Sequence, residues 1–208
     1  MSDARTVILD RIDRALRTAR IPIEVRAAVP AAAIGPDAQG LLDRFLLEAR
    51  AVGVEAFLEI SAAAVRERLA DIIRDRRVLS WSPERLPYDA GAMVAGACLG
   101  SAALRDQAEA EVGVTGCHAA IAETGSLVLL SGPGSSRTVS LLPPLHVALV
   151  RPQDLYFGMG EFFESNGARM AEASCCTFVT GPSRTADIEL SLTIGVHGPG
   201  RVVVIIGN

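Results

Sequence analysis

The stretch Glu111–Val150, EVGVTGCHAAIAETGSLVLLSGPGSSRTVSLLPPLHVALV, decides the fold. It reads as strand, turn, strand, glycine loop, short helix and strand, and nearly every residue with plausible chemistry stands at one of its joints. Leu145–Val150 reads as a buried strand bounded by Pro143–Pro144 and Pro152. A second stretch, 180–199 (TGPSRTADIELSLTIGVHGP), has the same character and is expected to fold against the first.

Outward from this core the rhythm alternates between β and α. Leu41–Val52 is helical and ends at Gly53, a natural left-handed stop. Val54–Ile60 alternates as a half-buried strand, Ser61 caps a helix over Ala62–Arg76, and Arg77–Trp81 is a further strand. Asp106–Glu111 reads as a short helix, Leu155–Asn166 as a helix closed by Gly167, and Thr177–Thr180 as a strand. Ser183 or Thr185 is expected to cap a short helix running to Glu189. Val202–Ile206 is the β-branched run of a strand covered on both faces. Strands separated by helices imply right-handed crossovers, hence an α/β fold whose mostly parallel sheet carries helices on both faces.

The first residues differ. Asp3–Arg20 places Val7, Ile8, Ile12 and Leu16 at helical spacing among arginines and aspartates, and a Pro/Ala/Gly stretch to Gly40 follows. The expected division is residues 1–40 as N-terminal helix and linker, and 41–208 as the α/β domain. The helix either docks on the domain or serves a partner.

Composition narrows the chemistry. The 208 residues are half hydrophobic with only 4% aromatic, so the core must be built from Ala, Val, Leu and Ile. All 20 basic residues are arginine, which excludes lysine Schiff-base chemistry and a Walker lysine. Anion recognition then falls to arginine forks, which suit carboxylates and phosphates. A net charge of −4 gives no footprint for nucleic acid. No apolar run is long enough for a membrane span. The four cysteines (Cys98, Cys117, Cys175, Cys176) form no C-x-x-C pair, so neither a metal nor an iron–sulfur site is expected within the chain. A cytoplasmic protein with reduced thiols is the expectation.

In open parallel sheets ligands bind beyond the carboxyl ends of strands, which points to the turns after Val114, Leu130 and Val179. After the first come Cys117 and His118, whose side chains diverge on a strand and make a poor dyad. Glu123 follows, between a small apolar turn and a Gly-Ser strand start. Poor solvation there would raise its pKa for acid–base or nucleophilic work, but it could equally cap a turn or pair with an arginine. The second turn supplies Ser131, Gly132, Gly134, Ser136 and Arg137, where small residues let backbone N–H groups approach an anion at the start of a short helix. The third supplies Gly181, Ser183, Arg184, Thr185 and Asp187, although Arg184 could simply pair with Asp187 or Glu189. If their strands are neighbours, Arg137 and Arg184 converge on one cleft. His146 and His197 lie beside strands and read as core or loop histidines.

The segments AIAETGSLVLL (120–130), SLLPPLHV (140–147) and, above all, TGPSRTADIELSLTIGVHGP (180–199) resemble the LUD domain, nearest to the lactate utilization protein C family. The resemblance implies a fold related to the sugar-phosphate isomerase and CoA-transferase superfamily. It also implies a role as one subunit of a complex oxidising L-lactate to pyruvate, beside a cysteine-rich protein and an iron–sulfur protein that carries the clusters. A small anionic ligand would be the substrate, and homo-oligomerisation is left open. The alternatives are a stand-alone CoA-transferase-like or sugar-phosphate enzyme using Glu123, and a non-catalytic assembly or regulatory module.

Overall fold

The computed structural model describes residues 3–18, 37–185 and 193–207. The chain divides into two compact units, 1–30 and 31–208. The first contains α1 (Ala4–Thr18), an amphipathic helix. The second contains, in chain order, α2 (Ala38–Ala51), β1 (Glu55–Glu59), α3 (Ala62–Ile73), β2 (Val78–Ser80), β3 (Cys98–Leu99) and α4 (Leu104–Ala108). There follow β4 (Val112–Thr115), β5 (Ala119–Ile121), β6 (Ser126–Ser131), β7 (Leu145–Val150), β8 (Leu155–Tyr156) and α5 (Met159–Glu172). The chain closes with β9 (Cys175–Val179), β10 (Arg184–Thr185), β11 (Thr193–Ile194) and β12 (Arg201–Gly207).

The expected parallel sheet is present. Six strands run in the order β1-β12-β7-β4-β2-β3, and every pairing is parallel. β12 and β7 form its centre because their side chains suit burial on both faces. Val203 and Ile205 join Leu69 of α3, Leu79, Val112 and Leu149 on one side. Val202, Val204 and Ile206 join Phe45, Leu46 and Ala49 of α2 on the other. Each such fully buried aliphatic side chain contributes roughly 1.5–3 kcal/mol of transfer free energy.

The helices start and stop for local reasons. Asp37 caps α2 by accepting the Gly40 N–H at 2.8 Å, so the residues up to Gly40 are not all linker. Gly53 ends that helix with φ +92°, a conformation that favours glycine. Ser61 caps α3 by accepting the Ala64 N–H at 3.2 Å.

The rest of the expected layout needs correction. β5, β6 and β9 do not extend the parallel sheet; with β8 they form a second sheet, β8-β5-β6-β9. There β5–β6 and β6–β9 are antiparallel. One face of this sheet meets α2 and β12 through Ala120, Ala122 and Leu127. The other is covered by Phe162 of α5, packed on Ala119, Ile121, Val128 and Leu130. The segment 155–156 is strand rather than helix, and α5 runs through Gly167 to Glu172. Residues 184–185 pair antiparallel with β11 instead of opening a helix.

Candidate functional site

The glycine loop leaves β6 at Ser131 and is fixed on both sides. Gly132 and Ser135 form a tight bridge with N–H···O distances of 3.3 and 3.0 Å, and Gly134 turns the chain at φ +77°. The Ser82 N–H donates to the Gly134 carbonyl at 2.9 Å, and the Trp81 indole donates to the Ser136 carbonyl at 3.1 Å. Both the N–H and the hydroxyl of Ser174 donate to the Ser131 carbonyl at 3.0 Å. The loop is therefore held between the end of β2 and the start of β9. Such fixed backbone geometry lets a site bind without first ordering itself.

This loop walls a cleft of about 530 Å³ with Ser82, Leu99, Gly100, Ser101, Ser174 and Cys175 opposite. That volume suits a small molecule. Ser131, Gly132, Gly134, Ser136 and Arg137 all line it. Among the described residues Arg137 is the only charged one in the lining, and no carboxylate shares it. Arg137 is exposed and makes no ion pair among the described residues; its nearest polar partner is the Cys175 sulfur at 3.9 Å. Close packing keeps the geometry: a Cβ on Gly100 would collide with Ser136. The helix expected after the loop is a single four-residue 3₁₀ turn, Arg137–Ser140, too short for a helix dipole to hold an anion.

The other sequence candidates lie elsewhere. β6 and β9 are neighbours, as required for Arg137 and Arg184 to converge, but they are antiparallel. Ser131 opposes Cys175 at one end and Leu127 opposes Val179 at the other, so the two loops leave from opposite ends. At the second end Arg184 donates to the Val52 carbonyl at 2.7 Å, and a Cβ on Gly181 would overlap that same carbonyl. Ser183 donates its N–H to Pro199 and accepts from Gly195, each at 2.9 Å. Gly181, Ser183, Arg184 and Thr185 thus clasp α2 and the 195–199 turn. Asp187 lies outside the described residues.

Glu123 belongs to this second end, in the turn joining β5 and β6. Its N–H donates to Phe157 at 2.9 Å and its side chain is exposed, so the expected desolvation is absent. Beside it Ser126 links Thr124 and Thr180 through hydroxyl contacts of 2.7 Å each. These polar contacts tie strand ends together.

The histidines divide by burial. His146 is fully buried in β7, its Nε2 2.9 Å from the Thr115 hydroxyl and its Nδ1 without a partner. Burial lowers its pKa to about 4. Cys117 and His118 lie in the turn between β4 and β5 and have separate partners, the Cys117 thiol donating to the Ala119 carbonyl at 2.7 Å. Burial pushes the Cys117 thiol up to about 12, while His118 Nδ1 accepts the Leu130 N–H at 3.1 Å. Among the described residues no three His, Cys, Asp or Glu side chains gather as metal ligands, and no helix is long and apolar enough to cross a membrane.

Sequence reasoning missed Ser82, Gly100, Ser101, Ser174 and Cys175. They stand on segments far apart in the chain, and only the pairing of β2 with β3 and of β6 with β9 brings them together.

The LUD domain family model matches residues 99–206, more than half of the chain and the whole glycine loop. The chain belongs to the LUD domain family. Lactate utilization protein C from Halalkalibacterium halodurans is 39% identical over 102 residues, 47% of this LUD chain and 44% of that protein. The protein of the same name from Macrococcus caseolyticus is 29% identical over 163 residues, covering 72% of the chain and 70% of the relative. In the first of these the match spans less than half of the relative's length. The crystal structure of a DUF162 family protein from Deinococcus radiodurans superposes with a TM-score of 0.67 at 23% identity, covering 84% of this chain and all of that one. At that identity the likeness is one of fold.

Proposed function

We propose that this LUD chain serves lactate utilization, as a cytoplasmic subunit of a complex that oxidises L-lactate to pyruvate. Oxidation releases two electrons and two protons, and the electrons pass to iron–sulfur clusters of a partner subunit. This chain contributes the carboxylate site. Arg137 holds the carboxylate of the 2-hydroxy acid, and Ser82, Ser101 and Ser131 in the lining supply hydroxyl donors for it.

The observation that carries this reading is a guanidinium that, among the described residues, shares its cleft with no carboxylate. A small monoanion is the ligand whose charge such a lining complements. The names of the relatives supply the substrate class. The alternative is a covalent or acid–base role for Glu123 in a stand-alone enzyme, with Glu123 exposed in the turn between β5 and β6 and outside the lining of this cleft.

The test is reconstitution of lactate-dependent dye reduction from the purified iron–sulfur and cysteine-rich partners, with and without this chain. Reduction is expected only when the chain is present. Full activity in its absence would remove the chain from the oxidation. Turnover of acyl-CoA or sugar phosphates by the chain alone would favour the stand-alone enzyme.

A further inference from the structure

On its other side the same glycine loop borders a second groove. Ser131, Gly132 and Pro133 line both the Arg137 cleft and this groove, where Arg85, His118 and Arg169 face them. The groove continues past those three residues toward Trp81, Cys117, Arg151 and Asp154. Its two lobes have volumes of about 220 and 240 Å³. Trp81 follows β2, His118 follows β4, and Arg151 follows β7, so the groove lies at the carboxyl ends of three adjacent parallel strands. Ligands of open α/β sheets collect there.

The charges of the groove are unevenly satisfied. Arg151 is spent on Asp154, which it grips with two hydrogen bonds of 2.8 and 3.0 Å. Arg85 has no hydrogen bond or ion pair from its side chain among the described residues, although Glu84 stands next to it. Among the described residues Arg169 makes only a 3.4 Å hydrogen bond to the Asn166 amide oxygen and no ion pair with Glu172. Two guanidinium groups thus line one groove, and among the described residues neither forms an ion pair with its carboxylates Glu84, Asp154 and Glu172, which leaves both able to grip an oxyanion.

His118 supplies a third donor. Its Nδ1 is occupied by the Leu130 N–H, so the neutral ring carries its proton on Nε2, which has no hydrogen-bond partner among the described residues, and His118 lines both lobes of the groove. The Trp81 ring, 5.4 Å away and tilted by 59°, fixes its orientation. Burial first, then Arg169 and Arg85, lowers its pKa to about 4, which keeps this ring a neutral donor at pH 7.

We infer that Arg85, Arg169 and the His118 Nε2–H form a second anion site, separate from the Arg137 cleft, that takes a phosphate-sized oxyanion. The loop 131–133 is the shared wall, so a ligand with two anionic ends can span it and reach both sites.

The test is an NMR titration of the full chain with inorganic phosphate at pH 7 and constant ionic strength, reading the His118 side-chain nitrogens. A saturable Nε2 shift with roughly millimolar affinity is expected, weakened at least about tenfold in an Arg85→Gln/Arg169→Gln variant. Both arginines are exposed, so an unchanged backbone amide spectrum is expected in that variant. The shift should persist in Arg137→Ala, which separates this site from the proposed carboxylate site. No saturable shift, a shift that survives the double substitution, or one that disappears with Arg137→Ala would each overturn the inference.

Discussion

A Gly113→Ala variant is expected to lose on the order of 3 kcal/mol of stability, the upper end of the cost of overpacking a core. Gly113 lies in β4 at the middle of the parallel sheet, and a Cβ there would overlap the Val139 carbonyl oxygen and press on Pro143 at 3.2 Å. The obstructing atom is backbone, so no side-chain rotation relieves the clash. Val139 sits in the 3₁₀ turn that begins at Arg137, so the displacement carries into the cleft as well. Gly167→Ala is the control of opposite sign. It lies inside α5, nothing stands within 4 Å of its added Cβ, and the change should stabilise by about 0.5–1 kcal/mol. Urea denaturation midpoints of the two variants check both expectations, and an unchanged midpoint for Gly113→Ala would contradict the packing described for β4.

The second large effect is acid sensitivity centred on His146. Its folded pKa of about 4 lies below its ordinary value of 6.5, because a charged imidazole between β4 and β12 would have no solvent. A base whose pKa is depressed by folding binds its proton more readily when unfolded. Its contribution is therefore complete above pH 6.5 and is lost as pH falls from 6.5 toward 4. The slope is about 1.4 kcal/mol per pH unit, on the order of 3 kcal/mol over the whole window. His118 adds a smaller term of the same sign, since it is only half-buried. Urea midpoints should fall markedly between pH 7 and pH 5 in the wild type and much less in His146→Gln. A flat profile in the wild type would contradict the buried, neutral imidazole.

The parallel sheet was legible because VVVII is apolar without interruption and LHVALV is broken only by His146, a pattern that strands covered on both faces require. The second sheet was hidden by the same feature. All six residues of β6, SLVLLS, are buried, since α5 closes one face and the α2 layer the other. A strand buried on both faces shows no alternation to mark it as antiparallel. Strand direction was the missing quantity, and it decided where Arg184 stands. The motif GPSR at 181–184 looks like an anion loop and acts as a clasp on Val52. The motif SGPGSSR at 131–137 has similar composition and lines a cleft. Composition shows that backbone can approach something closely; it does not show whether that something is a ligand or a neighbouring carbonyl. Glu123 failed as a buried carboxylate for a related reason: Ala119–Ala122 are buried, but the turn lifts the next residue into solvent.

In the proposed function Arg137, and not the Glu123 end of β6, receives the carboxylate. Calorimetric titration with pyruvate tests it in the wild type, Arg137→Ala and Glu123→Gln. A charged hydrogen bond contributes roughly 1.5–3 kcal/mol, so Arg137→Ala should bind at least about tenfold more weakly, with Glu123→Gln unchanged. Wild-type affinity in Arg137→Ala, or a loss confined to Glu123→Gln, would contradict it.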